Sequence, residues 1–179
     1  MRVIAGSLKG RRLRPPTWAG LRPTSDKLRE TLFNVLAPVI EGARVLDGYA
    51  GTGAVGIEAL SRGAAQVTFV ERDRRAQALI AANLSACGIA DRYVMIRGGI
   101  DRAVRDLAPA SFDVVWLDPP YVEPAEPIVA SVARLLAANG TLVLEHARRR
   151  ASPASAGRLT RTRELVSGDS ALAFYSCPP

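Results

Sequence analysis

Asp47-Gly48-Tyr49-Ala50-Gly51-Thr52-Gly53-Ala54-Val55-Gly56 is the stretch whose reading decides the fold. Arg44–Asp47 before it reads as a short strand, and Ala54–Ser61 after it reads as a helix. Gly51, Gly53 and Gly56 satisfy G-x-G-x-x-G in the strand–turn–helix context that the pattern requires. Glycine at such positions lets the backbone turn sharply and approach a ligand closely. Glu71 closes the next apolar run about twenty residues on, where a carboxylate can accept hydrogen bonds from ribose hydroxyls. This much admits a nicotinamide dehydrogenase, or a tight turn that holds nothing. The spacing argues against the dehydrogenase: three residues separate Asp47 from Gly51, whereas in the dinucleotide fold the first glycine follows its strand almost directly.

Outward from that turn the chain alternates. Val67–Val70 predicts a strand, and residues 74–86 a helix with Ala76, Leu79, Ile80, Leu84 and Cys87 on one face. Tyr93–Ile96 predicts a strand and Asp101–Leu107 a short helix. Phe112–Leu117 is apolar on both faces, as buried parallel strands are. A helix carrying Ile128, Val132, Leu135 and Leu136 follows, then a fifth strand at Thr141–Glu145. Leu159–Val166 and Ala171–Ser176 flank Ser167-Gly168-Asp169 as a hairpin, which closes the sheet antiparallel. Upstream, Arg2–Ala5 and Arg11–Arg14 predict a small β-hairpin ended by Pro15 and Pro16. A helix then starts with Thr24 or Ser25 as N-cap, buries Leu28, Leu32, Val35 and Leu36, and stops at Pro38. The expected class is α/β. A Rossmann-like, doubly wound, mostly parallel sheet has core order 3-2-1-4-5, with residues 1–23 as a basic hairpin extension and 24–179 as the main domain.

The 179 residues suffice for one domain with a real core, and 48% are apolar. No apolar run reaches the roughly 20 residues of a membrane helix, and the basic N-terminus lacks the apolar stretch of a signal peptide. Cys87 and Cys177 have neither metal-like spacing nor a small secreted frame, so a reduced cytoplasm and no metal are expected. The net charge of +7 is unevenly placed. Residues 1–27 hold seven cations and one acid, residues 147–179 six cations and two acids, and the middle eleven cations and fourteen acids. Basic ends on a slightly acidic core suggest a polyanion partner such as nucleic acid.

Asp118-Pro119-Pro120-Tyr121 follows the fourth core strand. Two adjacent prolines freeze the loop, because each fixes its own φ and restricts its predecessor. Asp118 and the Pro119 carbonyl then become two aimed acceptors beside the flat ring of Tyr121. Such a set suits a planar exocyclic amine, whose nitrogen lone pair is delocalised into its ring. Two acceptors on its two N–H groups favour pyramidal nitrogen and stabilise the positive charge that develops as a methyl group arrives. Tyr121 stacks on the base and orients it. In the order 3-2-1-4-5 the strands ending at Asp47 and Asp118 are neighbours, so both loops face one crevice. The single histidine, His146, is read as a structural or surface residue at a strand end.

D-x-x-A-G-T-G resembles the first motif of S-adenosylmethionine-dependent methyltransferases, and [Asn/Asp/Ser]-Pro-Pro-aromatic resembles the signature of amino-methyltransferases. Leu21-Arg22-Pro23-Thr24-Ser25-Asp26-Lys27-Leu28-Arg29-Glu30-Thr31-Leu32-Phe33-Asn34 adds a more specific string. Together with Ser61-Arg62-Gly63, Phe69-Val70-Glu71 and the leading M-R-V-I-A-G segment, the chain resembles the RsmD family nearly end to end. These enzymes methylate the N2 amine of a guanine in bacterial 16S rRNA with S-adenosylmethionine. The resemblance implies the same activity here, on 16S rRNA or the assembling 30S subunit, by a cytoplasmic monomer. Without it, the active-site loop equally admits adenine in DNA or a protein glutamine as target.

The expected catalytic set is Asp118, Pro119, Pro120 and Tyr121. The expected cofactor set is Asp47, Tyr49, Ala50, Gly51, Gly53, Glu71, Arg72 and Asp118. Arg2, Lys9, Arg11, Arg12, Arg14, Arg22, Arg148 and Arg149 are assigned to RNA phosphates. Arg29 and Glu30 either meet phosphate or pair with neighbours to brace the loop; Phe33 is either core or crevice lining. Two positions depart from the family. Gly48 stands where a bulky apolar residue is usual, which implies a looser turn. Gly99 stands where an acid often meets the adenine amine, and Asp101 is either the N-cap of the next helix or a substitute for that acid. These departures leave room for a non-catalytic rRNA-binding assembly factor.

Overall fold

The computed structural model describes residues 1–21, 23–120 and 123–178. Among them, an eight-stranded sheet runs in the order β3-β2-β1-β4-β5-β8-β7-β6. Its parallel half comprises β1 (Arg44–Asp47), β2 (Gln66–Glu71), β3 (Tyr93–Arg97), β4 (Phe112–Leu117) and β5 (Leu136–Ala147). The antiparallel half adds β6 (Ser155–Ala156), β7 (Leu159–Ser167) and β8 (Ser170–Ser176). The expected order of the five core strands and the antiparallel end are both present. The two-residue β6 is an addition.

Successive strand residues point to opposite faces, so the sheet has two cores. Val45, Phe69, Trp116 and Val143 face α1 (Asp26–Ile40), α2 (Ala54–Ser61) and α3 (Arg74–Ala86). Leu46, Val70, Leu117 and Leu144 face α4 (Ile100–Asp106) and α5 (Ala125–Val132). No helix among the described residues is long and apolar enough to cross a membrane.

Four local readings change. The two N-terminal strands still pair antiparallel, through the bridge of Arg2 with Arg12 and the amides of Val3, Gly10 and Leu13, but they are shorter than Arg2–Ala5 and Arg11–Arg14. The reason is a competing acceptor: the amides of Ile4 and Ala5 donate to the Glu58 carboxylate at 2.8 and 3.0 Å. Val3 and Leu13 sink into the first core, which welds the segment to α2. Helix α1 passes Pro38 and ends at Ile40. The proline removes only one late hydrogen bond, and burial of Ile40 holds the last turn. The helix expected through Leu136 ends at Val132, followed by a 3₁₀ turn at Ala133–Leu135. Leu136 opens β5 opposite Phe112, and β5 bulges before Thr141, where residues 137–140 stand against the single β4 residue Asp113. Finally, Asp101 is not a cap. Gly99 is the N-cap of α4, and Asp101 lies in its first turn.

The string before the core is a brace. Ser25 caps α1, its hydroxyl accepting from the Leu28 amide at 3.2 Å. Arg29 is fully buried, donates to Asp26 at 2.6 Å and to the Arg2 carbonyl at 2.7 Å, and lies 3.9 Å from Glu58. Glu58 also accepts from Arg62 at 2.8 Å. Phe33 is core, with the Arg62 guanidinium 4.9 Å from its ring centre. Glu30 is exposed.

Candidate active site

The glycine turn leaves β1 with a buried acid beneath it. Asp47 is 1% exposed, and its Oδ2 accepts from the Gly56 amide at 3.0 Å. Its Oδ1 is buried and has no hydrogen-bond partner. Burial pushes the carboxyl up to about 7 against the lowering effect of the Gly56 bond, and the nearby charge of Glu71 adds to the rise. Gly51 and Gly53 adopt φ of +53° and +76°, which side chains rarely tolerate. Gly53 is the N-cap of α2 and packs toward Ile80 rather than lining the cavity. Glu71 locks the turn from β2, its Oε2 accepting from the Gly51 amide at 2.9 Å and its Oε1 from the Asp73 amide at 2.8 Å.

Gly48 is not a loosening. A Cβ there would lie 2.6 Å from Leu117 Cδ2 and 3.1 Å from Ile100 Cδ1, so neighbours already fill the space. At Gly56 a Cβ would meet Phe69 at 2.2 Å, which is why α2 can lie close on the sheet.

Around this turn lies a cavity of about 380 Å³, within the roughly 300–1,000 Å³ usual for small-molecule sites. Asp47, Tyr49, Ala50, Gly51, Glu71, Arg72 and Asp118 all line it, as does Asp101. The Tyr49 hydroxyl donates to Glu123 at 3.3 Å; burial first, then the Glu123 charge, raises its pKa. An acceptor-bearing floor with an orphaned carboxylate oxygen, and Glu71 and Arg72 in the wall, fit a ligand with a cationic amine, a ribose and a carboxylate.

A second cavity, of about 570 Å³, adjoins the first. Asp118, Pro119 and Pro120 line it together with Ser25 and Leu28 of α1, Glu145 of β5 and the turn 167–170. Asp118 and Pro120 line both cavities, so the D-P-P loop stands where the two meet. Tyr121 and Arg22 lie outside the described residues.

Three features have no counterpart in the sequence analysis. A strap including Gly20, Leu21, Pro23 and Thr24 walls both cavities, and Trp18 adds to the smaller one. Its indole sits 5.0 Å from the Arg75 guanidinium, a stacking that bridges the strap to α3. Fully buried Asn83 donates to the carbonyls of Thr52 and Arg14 and accepts from the Arg14 amide, pinning the extension to the glycine turn. Glu145, in sequence only the end of a predicted strand, lines the larger cavity. None of these has a local pattern; Trp18 beside Gly20 in a proline-flanked stretch is the one available signal.

The basic residues are spread unevenly. Arg2, Lys9, Arg11, Arg12 and Arg14 are all exposed, and Arg2 lies 3.9 Å from Asp26. Arg14 is anchored beside the glycine turn, whereas the Ser7–Lys9 end is bonded to Ser61 at the far end of α2. Arg148 and Arg149 are exposed just past β5, and the Arg148 amide donates to the Asp169 carbonyl at the rim of the larger cavity. His146 is buried on β5 with Nε2 3.6 Å from Glu164, away from both cavities.

Comparison with known proteins bears on this geometry. The family model described as conserved hypothetical protein 95 matches residues 1–176. A Bacillus subtilis protein named putative rRNA methyltransferase YlbH is 37% identical over 98% of each chain. Ribosomal RNA small subunit methyltransferase D of Escherichia coli is 39% identical over 81% of this chain and 71% of its own. Among solved structures, putative methyltransferase yhhF from Escherichia coli superposes with a TM-score of 0.85 at 34% identity, covering 99% and 97% of the two chains. A more distant one, SMU.776, a putative methyltransferase complexed with SAH, shares the fold at 16% identity and a TM-score of 0.68, over 82% of this chain and 48% of its own.

Proposed function

This chain is a methyltransferase of the conserved hypothetical protein 95 family, and we propose that it methylates the exocyclic N2 amine of a guanine in 16S rRNA, using S-adenosylmethionine. The observation that carries the reading is the D-P-P loop at the junction of two cavities, one suited to a cofactor and one to a base.

Asp47 Oδ1 and Glu71 are the groups that would hold the cofactor, with Tyr49, Ala50, Gly51, Arg72 and Asp101 around them. When bound, S-adenosylmethionine supplies an electrophilic methyl group on a sulfonium. On the other side, Asp118 and the Pro119 carbonyl accept the two N–H bonds of the amine. That pyramidalises the nitrogen and aims its lone pair toward the smaller cavity. The Asp118 carboxylate also stabilises the developing ammonium charge. Pro120 keeps the loop rigid, and Tyr121 stacks on the base. The base must leave its stack to enter, as enzymes acting on bases require. Arg2, Lys9, Arg11, Arg12, Arg14, Arg22, Arg148 and Arg149 are assigned to RNA phosphates; the Arg14 backbone is pinned beside the glycine turn through Asn83, and the Arg148 amide is bonded at the 167–170 turn. The enzyme is proposed to act as a cytoplasmic monomer, with residues 1–23 as its basic extension and 24–179 as the catalytic domain.

The filled space at Gly48 and the presence of Asp101 in the cavity wall support a working cofactor site over a decayed one. The test is incubation of 30S particles lacking the modification, free 16S rRNA, duplex DNA and a glutamine-bearing release factor with labelled S-adenosylmethionine. Label is expected in N2-methylguanosine from 16S rRNA; label confined to DNA or protein would overturn the assignment.

A further inference from the structure

The D-P-P loop holds an amine but does not say which base carries it. Adenine and guanine both present an exocyclic amine, so a further group must tell them apart. β4 and β5 run parallel with Leu117 opposite Leu144. Asp118, the first residue past β4, and Glu145 of β5 therefore come next along two adjacent strands, which lie about 4.8 Å apart. Leu144 faces the second core, so alternation turns Glu145 to the α1 face, where Asp118 lines the same cavity with Leu28. Both line the larger cavity, and Glu145 is 5% exposed. Among the described residues, the Watson–Crick edge of a bound base would thus meet two carboxylates and one carbonyl, all acceptors.

We infer that Glu145 is the guanine-reading residue, accepting the N1–H of the base whose N2 amine is held by Asp118 and the Pro119 carbonyl. The inference rests on the proposed function above. Guanine presents N1–H and two N2 hydrogens in a row, three donors against this wall. Adenine presents a bare N1 lone pair beside its amine, which would face the carboxylate with no proton between them. A buried group built to bond a substrate N–H rejects the analogue that lacks it strongly. Ser25, Leu28 and Ser170 add uncharged wall around the base, and Asp169 adds a further acid at the 167–170 turn, so no cation lines this cavity among the described residues.

The experiment has two arms. In the first, wild-type protein and labelled S-adenosylmethionine locate the modified guanine in 30S particles lacking the methyl group. No label in any guanine would remove the functional reading, and this inference with it. In the second, particles are rebuilt with 2-aminopurine at the located position. That base keeps the N2 amine but carries a lone pair at N1. Wild type is expected to label it at least about 100-fold more slowly than guanine. Equal labelling of the two bases by wild type would overturn the inference while leaving the function intact, whatever the variants do. Glu145→Gln is the positive counterpart, since its amide can accept from guanine N1–H or donate to 2-aminopurine N1. Its preference is expected to collapse to within about threefold, with cofactor affinity by calorimetry unchanged. A wild-type preference in Glu145→Gln would overturn the inference and leave Glu145 a structural role only.

Discussion

The two cavities that meet at Asp118 are built in opposite ways. The smaller takes its floor from one stretch: β1, the turn after it and the start of α2 supply Asp47, Tyr49, Ala50, Gly51 and Ala54, and β2 adds Glu71, while the strap, the loop after β3 and the end of β4 complete its walls. The larger is assembled from the strap, the N-terminus of α1, the end of β4, the end of β5 and the β7–β8 turn. A local site is held by backbone hydrogen bonds, such as Gly56 to Asp47 and Gly51 to Glu71. A distributed site is held by the sheet register and by packing of the strap. Damage to the first should therefore appear in cofactor binding, and damage to the second in transfer.

Asp118→Ala is the harshest test of that division. Transfer should fall by about 10²–10³-fold, since an electrostatic acceptor at the reacting centre is removed. RNA binding, read by filter retention, should stay near wild type; if transfer survives, the loop is not the acceptor.

Asp47→Asn should act on the other side. Loss of a charged acceptor for the cofactor amine should weaken S-adenosylmethionine binding by roughly 10–100-fold in calorimetry. The same change should stabilise the ligand-free protein. Folding raises the carboxyl from 3.8 to about 7, so the folded state takes up a proton between those values. The stability this contributes is complete below pH 3.8 and is lost as pH rises through 7. The variant lacks this loss, so its melting temperature should pull ahead of wild type between pH 5 and 8, by about 1–3 kcal/mol of stability. Parallel melting curves across that range would contradict a buried, strained carboxyl.

Gly48→Ala tests whether the turn is filled or slack. Overpacking against Leu117 and Ile100 should cost about 1–3 kcal/mol in denaturant titration. A neutral or stabilising change would restore the looser turn expected from sequence.

Trp18→Ala loosens the strap shared by both cavities. Removing the ring that stacks on Arg75 should cost about 0.5–1 kcal/mol, a few-fold in cofactor affinity. The smallest effect is the salt dependence of RNA binding. Arg12→Ser with Arg14→Ser should flatten the log K against log salt slope by about 0.7–0.9 for each phosphate that is no longer neutralised. Deleting the whole extension would be uninformative, because Val3, Leu13 and the Glu58 bonds belong to the fold.

The same contrast explains what the sequence makes legible. Phe112–Leu117 coincides with β4 end to end, and the neighbouring of β1 and β4 follows from counting β–α units. Asp47 and the glycines form one contiguous pattern and Glu71 follows at a set spacing, so the floor of the smaller cavity is legible. Glu145 is not, because its importance comes from a register with β4 that no local pattern encodes. Trp18 and Asn83 likewise act across long sequence separations. The N-terminal hairpin is shorter than its alternation suggests for a related reason: a carboxylate fifty-odd residues away takes the amides of Ile4 and Ala5.

The most direct test of the two-cavity account is a crystal structure with S-adenosylhomocysteine. Its amino group should lie within hydrogen-bond distance of Asp47 Oδ1, its ribose should meet Glu71, and its sulfur should point at Asp118, leaving the cavity beside Glu145 clear. Density for the ligand between Glu145 and the 167–170 turn, with the Asp47 side empty, would contradict the account.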